Sequence, residues 1–314
     1  MADTERKVAI VGAGLIGRAW ATIFARAGWS VRLSDPHIPT LKSAPRLIRD
    51  ELHALARHGL ADDPDAAVAR VSAAGNLEEA VRDVEFIQEN GPERVEDKRS
   101  IFAQLDKMAP KDALLVSSTS ALPASRFTEH LERRARCLVG HPVNPPHLVP
   151  LVELCGAPWT STEAIDRARN IYREIGQVPV TINREINGFV LNRLQGALLA
   201  EAFRLVGEGY ISAQDLDHTI KDGLGLRWSF MGPFETIDLN APGGVSDYAG
   251  RYGSALYDTM SSVRYSPWDD ALIGRIDAER RKVLPQAQHG EREAWRDRRL
   301  MALIAHKRAM AAKD

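Results

Sequence analysis

Short apolar runs alternate with longer segments of helical periodicity through roughly the first 180 residues of this 314-residue chain. An uninterrupted apolar run predicts a strand that is covered on both faces of a sheet. Apolar residues spaced three or four positions apart on a charged background predict helices, here over residues 19–25, 41–60, 93–108 and 164–175. The predicted strands are Val8–Val11, Val31–Leu33, Val84–Ile87, Ala113–Val116, Cys137–Val139, Leu151–Leu154 and Val178–Thr181. Their alternation with helices indicates a doubly wound, mostly parallel α/β sheet.

The pattern changes after about residue 182, where convincing strands end. One long helix is predicted by apolar residues that recur every three to five positions, namely Phe189, Leu194, Leu198, Ala202 and Leu205. We therefore predict an α/β domain over residues 1–185 and an all-helical domain over 186–314. The charge-rich tail is expected to form a helix that packs one apolar stripe on the body or on a partner subunit, with Trp295, Leu300, Leu303 and Ile304 in that stripe.

The turn that leaves the first strand reads G-x-G-x-x-G, with its glycines at Gly12, Gly14 and Gly17. Each glycine has a physical role when such a turn binds a dinucleotide. The first allows the tight turn, the second lets the pyrophosphate approach the backbone, and the third lets helix and strand pack closely. The helix then begins near Leu15 and Ile16, and its N-terminus offers N–H groups and a positive dipole end to the phosphates.

The residues around this turn supply the context that the motif requires. A strand precedes it, an Ala-rich helix follows it, and the second strand ends at Asp35, about 20 residues further on. A carboxylate at this position accepts hydrogen bonds from a ribose diol and repels a 2′-phosphate. Pro36 and His37 come next, with no arginine directly after Asp35. We therefore predict a Rossmann-type domain that binds NAD rather than NADP.

Composition excludes several other classes of protein. A net charge of −1 gives no reason to expect nucleic acid or an anionic membrane as a partner, and no apolar run approaches the length of a bilayer span. Two cysteines, Cys137 and Cys155, exclude a disulfide framework and indicate a reducing compartment. The polar N-terminus lacks a secretory apolar region. We expect a cytoplasmic protein, and the sequence suggests no metal site.

Polar residues follow three predicted strands, over residues 89–93, 117–120 and 141–144, and ligands of open α/β sheets bind at such strand ends. Oxidation of a secondary alcohol needs a base for the hydroxyl proton, and histidine suits this role because its unperturbed pKa is about 6.5. His141 is the candidate base, although a structural role for a histidine before proline stays open at this point. Glu153, a carboxylate inside an apolar strand, requires a partner and is the candidate for orienting the imidazole.

Five motifs, in this order, resemble those of the NAD-dependent L-3-hydroxyacyl-CoA dehydrogenase family. The family patterns are the glycine turn with its acid, S-N-T-S, H-F-F-N-P, L-V-E and G-F-x-x-N-R. The corresponding residues are Gly12–Asp35, Ser117–Ser120, His141–Pro145, Leu151–Glu153 and Gly188–Arg193. The resemblance covers nearly the whole chain.

The resemblance implies a role for each matched polar residue. His141 would be the catalytic base and Glu153 its orienting acid. Ser120 and Asn192 would contact the substrate oxygen, and Asn144 would support the site. An alternative for Asn192, judged from the residues alone, is an amide on a helix surface.

Two further implications concern the cofactor and the assembly. The family's acid and lysine that touch the cofactor after the fourth strand fall on Glu93 and Lys98. The helical domain of the family usually mediates dimers, so we expect a homodimer.

Departures from the family pattern bear on the substrate. Ser118 replaces the asparagine of S-N-T-S, and the segment Gly223–Glu235 is three residues longer than its family counterpart. The segments His141–Pro146 and Gly225–Gly232 look like the λ-crystallin branch, whose enzymatic member is L-gulonate 3-dehydrogenase, and L-carnitine dehydrogenase shares part of the second segment. These substrates are small and carry a carboxylate. Arg227 is a candidate to bind that carboxylate with its planar guanidinium, although a surface arginine is an equal alternative.

The resemblance therefore predicts NAD-dependent oxidation of the 3-hydroxyl of a small L-3-hydroxy acid similar to L-gulonate. L-3-Hydroxyacyl-CoA and L-carnitine are alternative substrates. A crystallin-like structural protein that binds a dinucleotide without catalysis is the non-enzymatic alternative, and it predicts loss of the catalytic set.

Overall fold

The computed structural model describes residues 5–261, 263 and 267–313. Its contacts divide the chain into two compact units. The first contains the residues up to Arg193 together with those from Ala294 onward, and the second is Leu194–Glu293. The tail segment is thus grouped with the first unit, whereas the predicted second domain extends to residue 314. The two units are defined by contacts within the chain, whereas the predicted boundary separates parts that fold independently. The boundary therefore stays a prediction.

Eight strands within residues 7–182, all of which are described, form one sheet. Their order across the sheet is β3-β2-β1-β4-β5-β6-β7-β8. Strand β7 runs antiparallel to β6, and β8 runs parallel to β7. The doubly wound, mostly parallel α/β sheet is therefore confirmed. The strands are β1 Lys7–Val11, β2 Ser30–Ser34, β3 Val71–Ala73, β4 Phe86–Glu89, β5 Leu114–Ser117, β6 Cys137–Pro142, β7 Leu151–Gly156 and β8 Val178–Ile182.

Strand β3 is absent from the sequence-based prediction. Its three residues pair with β2 at the edge of the sheet, and Ser72 and Ala73 are exposed. An edge strand of this kind carries no buried apolar run, so the pattern that reveals the other strands is missing here.

Helices cover both faces of the sheet. The residues of β1 show this, because they alternate between two apolar cores, one on each face. Val8 and Ile10 lie in one core with residues of α1, α2 and α7. Ala9 and Val11 lie in the other with residues of α5. The helices of this part are α1 Leu15–Arg26, α2 Ile38–Ala56, α3 Pro64–Ala69, α4 Leu77–Val81, α5 Val95–Met108, α6 Ser125–Thr128 and α7 Thr162–Glu174.

Beyond residue 182 the described residues form helices joined by turns and loops, with no strand among them, as predicted. The helices are α8 Phe189–Gly207, α9 Ala213–His218, α10 Gly225–Trp228, α11 Pro233–Leu239, α12 Gly244–Ser261, α13 Asp270–Val283 and α14 His289–Ala311. A π-helical turn, Thr219–Leu224, precedes α10. No helix among the described residues combines the length and apolar character that a bilayer crossing needs.

The tail packs on the body through a stripe that differs from the predicted one. Met301 is buried, and Leu300 and Ile304 lie partly buried beside it. Leu303 is 44% exposed and Trp295 is 41% exposed, so these two predicted stripe residues are not part of the buried cluster around Met301. Periodicity alone left the rotation of α14 undecided, because charged residues surround several apolar positions.

Candidate active site

The glycine turn between β1 and α1 has the geometry that its sequence predicts. Gly12 has a φ of +92°, in the region that favours glycine. A Cβ on Gly17 would overlap the carbonyl oxygen of Gly12, so the close helix–strand contact requires glycine there. A Cβ on Gly14 would have nothing within 4 Å, which leaves open space beside the backbone where α1 begins.

A cavity of about 600 Å³ opens at the carboxyl ends of β1, β2 and β4. Its walls include Gly12, Gly14, Asp35, Asn90 and Gly91. The Asp35 carboxylate accepts hydrogen bonds from the backbone N–H groups of Ala13 (2.7 Å) and His37 (2.8 Å). The open space at Gly14, the N–H groups in the first turn of α1 and this fixed carboxylate fit the pyrophosphate and the ribose diol of NAD.

His141 and Glu153 meet because β6 and β7 pair in antiparallel register, which places the two residues directly opposite each other. The Nδ1 atom of His141 lies 2.8 Å from Oε2 of Glu153. Both side chains are buried, with 4% and 1% of the residue surface exposed. An ionised carboxylate is an acceptor only, so Nδ1 carries the proton and Nε2 is left as the basic nitrogen.

The other oxygen of Glu153 binds the start of helix α8. Oε1 accepts hydrogen bonds from the backbone N–H groups of Val190 (2.9 Å) and Leu191 (2.8 Å). Phe189 begins this helix with a φ of +49°, which is rare for a non-glycine residue. Its ring lies 5.3 Å from the His141 ring, between centroids. A helix N-terminus is a favourable site for a carboxylate. The sequence did not predict these N–H donors for Glu153, because only the turn at Gly188 marks the start of the helix.

The hydrogen bonds decide the charge of Glu153. Burial by itself raises the pKa of this carboxyl group, but the hydrogen bonds from His141, Leu191 and Val190 lower it, and the pKa lies below its ordinary value. Glu153 is therefore ionised at neutral pH and holds the imidazole in one tautomer.

Ser120 and Asn192 lie together beside the strand ends. The side-chain amide of Asn192 donates to the backbone oxygen of Ser120 at 2.8 Å. Oε1 of Glu93 accepts hydrogen bonds from the N–H groups of Ser120 (2.9 Å) and Ala121 (3.0 Å) and from the Thr119 hydroxyl. Glu93 thus fixes the turn that carries Ser120, while its predicted cofactor contact stays a prediction.

Lys98 is buried against Glu89 (1% exposed), and its three N–H donors each have an acceptor. Nζ lies 2.9 and 2.8 Å from the two carboxylate oxygens of Glu89 and 3.1 Å from the carbonyl oxygen of Gly91. The sequence indicated no partner for Lys98, because Glu89 ends a separate strand. Through Gly91, the ion pair fixes one wall of this cavity.

Two predicted substrate residues lie in exposed positions. Asn144 lies on the loop that follows β6. Arg227 lies on α10, in the second unit, where its side chain is exposed. Their roles toward a substrate stay predictions.

Ser118, which departs from the family pattern, is the centre of a hydrogen-bond network that the sequence did not reveal. Its hydroxyl oxygen accepts from Trp20 Nε1 (3.0 Å) and Gln88 Nε2 (2.8 Å) and donates to Asn90 Oδ1 (2.7 Å). Tyr172 donates in turn to Gln88 at 2.5 Å. The network joins α1, β4 and β5 behind the cavity wall.

No group of three or more metal-ligating side chains occurs among the residues that the structure describes.

Two family models match the chain and together cover most of it. The NAD binding domain of 3-hydroxyacyl-CoA dehydrogenase matches residues 7–186, and the C-terminal domain of the same enzyme matches residues 188–282. Both units of the structure thus contain residues that these models recognise.

Relatives and solved structures agree with these matches. Lambda-crystallin from Oryctolagus cuniculus is 42% identical over 96% of this chain and 97% of its own length. L-carnitine dehydrogenase from Streptomyces griseus is 35% identical over 96% of this chain and 90% of its own. The crystal structure of 5-formyl-3-hydroxy-2-methylpyridine 4-carboxylic acid 5-dehydrogenase, an NAD⁺-dependent dismutase, has a TM-score of 0.79 at 25% identity over 96% of this chain and 99% of that chain. The chain belongs to the 3-hydroxyacyl-CoA dehydrogenase family and is an NAD-dependent dehydrogenase that acts on a secondary hydroxyl group.

Proposed function

We propose that this dehydrogenase oxidises the 3-hydroxyl group of a small L-3-hydroxy acid, similar to L-gulonate, to the 3-keto acid. The observation that carries the chemical part of the proposal is the buried His141–Glu153 pair at the carboxyl end of β6. Its basic nitrogen, Nε2, takes the hydroxyl proton of the substrate.

Glu153 acts on the reaction through His141. When the imidazole gains a proton it becomes a cation, and the ionised carboxylate 2.8 Å from Nδ1 stabilises that cation. NAD, when bound, supplies the acceptor for the hydride that leaves the carbon. Ser120 and Asn192 orient the substrate oxygen, and Asn144 supports them. The glycine turn, Asp35, Glu93 and Lys98 serve the cofactor side.

The free-acid substrate is supported by the kinds of relative that the chain resembles. Lambda-crystallin and L-carnitine dehydrogenase both match over nearly the full chain, and the family name supplies the competing candidate, a 3-hydroxyacyl-CoA ester. We propose that Arg227 binds the carboxylate of the acid, because a guanidinium matches a carboxylate with two parallel hydrogen bonds.

The experiment measures NADH formation with L-gulonate, L-carnitine and L-3-hydroxybutyryl-CoA, using wild type, His141→Asn, Arg227→Met and Arg82→Met. Arg82 is an exposed arginine in the first unit and serves as the matched control. We expect L-gulonate to have the highest kcat/KM. His141→Asn should lower kcat by on the order of 10²–10⁴, and Arg227→Met should raise KM for the acid about tenfold or more.

Each result addresses one part of the proposal. Full turnover by His141→Asn would refute the base. Preference for the CoA ester would refute the free-acid substrate, and an unchanged KM in Arg227→Met would remove this arginine from the site.

A further inference from the structure

The loop over residues 143–150 connects the two halves of the catalytic pair. It leaves β6 after His141 and enters β7 before Glu153, and it carries Asn144. Within it, the N–H groups of Leu148 and Val149 donate to the carbonyl oxygen of Pro145 at 3.0 and 2.9 Å. Leu148 is only 2% exposed. The buried side chain of Leu148 therefore packs against groups outside the loop.

One of these groups is helix α14. Met301 of this helix and Leu148 of the loop belong to one buried apolar cluster, together with Leu55, Leu60 and Ala61. Leu300, Ile304 and Ala305 pack against its margin. The helix begins at His289, beyond residue 282 where the match to the C-terminal family model ends. The match to the C-terminal family model thus does not extend to α14.

A second contact ties the same loop to the helix that begins at the glycine turn. Nε2 of His147 lies 2.8 Å from Oε1 of Glu51, and Oε2 of Glu51 accepts a hydrogen bond from the Thr22 hydroxyl at 2.8 Å. Burial raises the pKa of Glu51, but the hydrogen bonds from His147 and Thr22 lower it, so the pKa lies below its ordinary value. Glu51 on α2 thereby links the loop to α1.

The apolar cluster constrains the loop sterically. Protein interiors are close-packed, so removal of a buried side chain lets its neighbours move. Movement of Leu148 would displace the loop and with it the ends of β6 and β7, where the 2.8 Å contact between His141 and Glu153 is made. Displacement of reacting groups by about 1 Å can lower a rate by about 10²-fold.

We propose that Met301 of α14 is a positioning residue for the dehydrogenase reaction, because the apolar cluster that it shares with Leu148 fixes the loop between the two strands that carry His141 and Glu153. The inference rests on the proposed role of this pair. It assigns to the C-terminal helix a function in catalysis at a distance from the substrate.

The test compares Met301→Ala and Leu148→Ala with Met310→Ala, the same substitution on the same helix at a position that is 41% exposed. The readouts are kcat with the preferred substrate, the Kd for NADH, and hydrogen exchange of the peptide that covers residues 143–150. We expect about tenfold lower kcat and faster exchange in the first two variants, with the Kd for NADH changed less than twofold. Met301→Leu, which conserves volume, should restore kcat.

Several outcomes would overturn the inference. These are an unchanged kcat and loop exchange in folded Met301→Ala, an equal loss in Met310→Ala, or a kcat loss that Met301→Leu does not restore. If Met301→Ala does not fold, Met301→Leu and Met301→Val provide a graded volume series with the same readouts. Full turnover by His141→Asn would instead refute the proposed base, while loop exchange still tests whether α14 holds the loop.

Discussion

At the scale of single residues, each carboxylate oxygen of Glu153 binds a different partner. One oxygen binds the His141 ring, and the other binds the N–H groups of Val190 and Leu191 at the start of α8. A buried carboxylate with fewer partners would take up a proton. The three donors keep Glu153 ionised, and in the proposed mechanism this charge holds His141 in place as the base.

We expect Glu153→Gln to lower kcat by on the order of 10²-fold or more, because an amide cannot stabilise the imidazolium as a carboxylate does. The Kd for NADH should stay within twofold of wild type. Steady-state kinetics and nucleotide titration measure both quantities. Glu163→Gln, at an exposed position on α7, is the control. A kcat equal to that of the control would contradict the assignment.

The same carboxylate has a consequence for acid stability. Its pKa in the folded protein lies below the ordinary value of about 4.3. Ionised Glu153 therefore stabilises the fold above the pKa of the unfolded chain, and this contribution is lost as the pH falls through the folded-state pKa.

At the scale of elements, the turn between β1 and α1 needs glycine for two different reasons, one at Gly17 and another at Gly14. Gly17 is needed by the fold, because a Cβ there would overlap the backbone of Gly12. Gly14 has open space around its missing Cβ and a φ of −66°, which other residues adopt easily. We infer that glycine at this position serves the approach of the pyrophosphate rather than the packing of the helix.

We therefore expect Gly14→Ala and Gly17→Ala to differ. Gly14→Ala should raise the Kd for NADH about tenfold or more and leave Tm of the protein without cofactor within a few degrees of wild type. Gly17→Ala should lower Tm as well. Thermal unfolding and nucleotide titration give the two values. Gly274→Ala on α13, also with open space around it, is the control and should keep both or raise Tm slightly. Equal Tm values for the first two variants would refute this distinction.

At the scale of the whole molecule, large apolar side chains of the helical part are exposed in the single chain. Leu194 on α8 is 65% exposed, Leu239 on α11 is 73% exposed and Tyr257 on α12 is 71% exposed. Because the periodic pattern of α8 predicts that Leu194 faces a core, these exposed side chains are candidates for an interface with another chain. We propose that the helical part forms a homodimer.

Light scattering should accordingly give twice the chain mass for the wild-type protein. We expect Leu239→Glu to increase the monomer fraction, because the dimer would bury an unpaired charge. Met108→Glu alters an apolar residue of the first unit that is 40% exposed and should leave the mass unchanged. A wild-type mass of one chain would contradict the dimer.

Local patterns in the sequence predict much of the fold and the cofactor. The apolar runs predict seven of the strands, G-x-G-x-x-G with Asp35 predicts the dinucleotide site, and the set of motifs identifies the family. These features depend on neighbouring residues, because periodicity and turn geometry are properties of a short stretch of chain. The sequence by itself thus determined the α/β class, the family and the cofactor.

Only the tertiary structure decided which side chains meet. The antiparallel register of β6 and β7 places Glu153 opposite His141, the start of α8 supplies its remaining donors, and Lys98 turns to Glu89. The rotation of α14, which buries Met301 instead of Leu303, was decided in the same way. Such contacts join residues far apart in the chain, so they depend on how whole elements pack, and local periodicity contains no information about that packing.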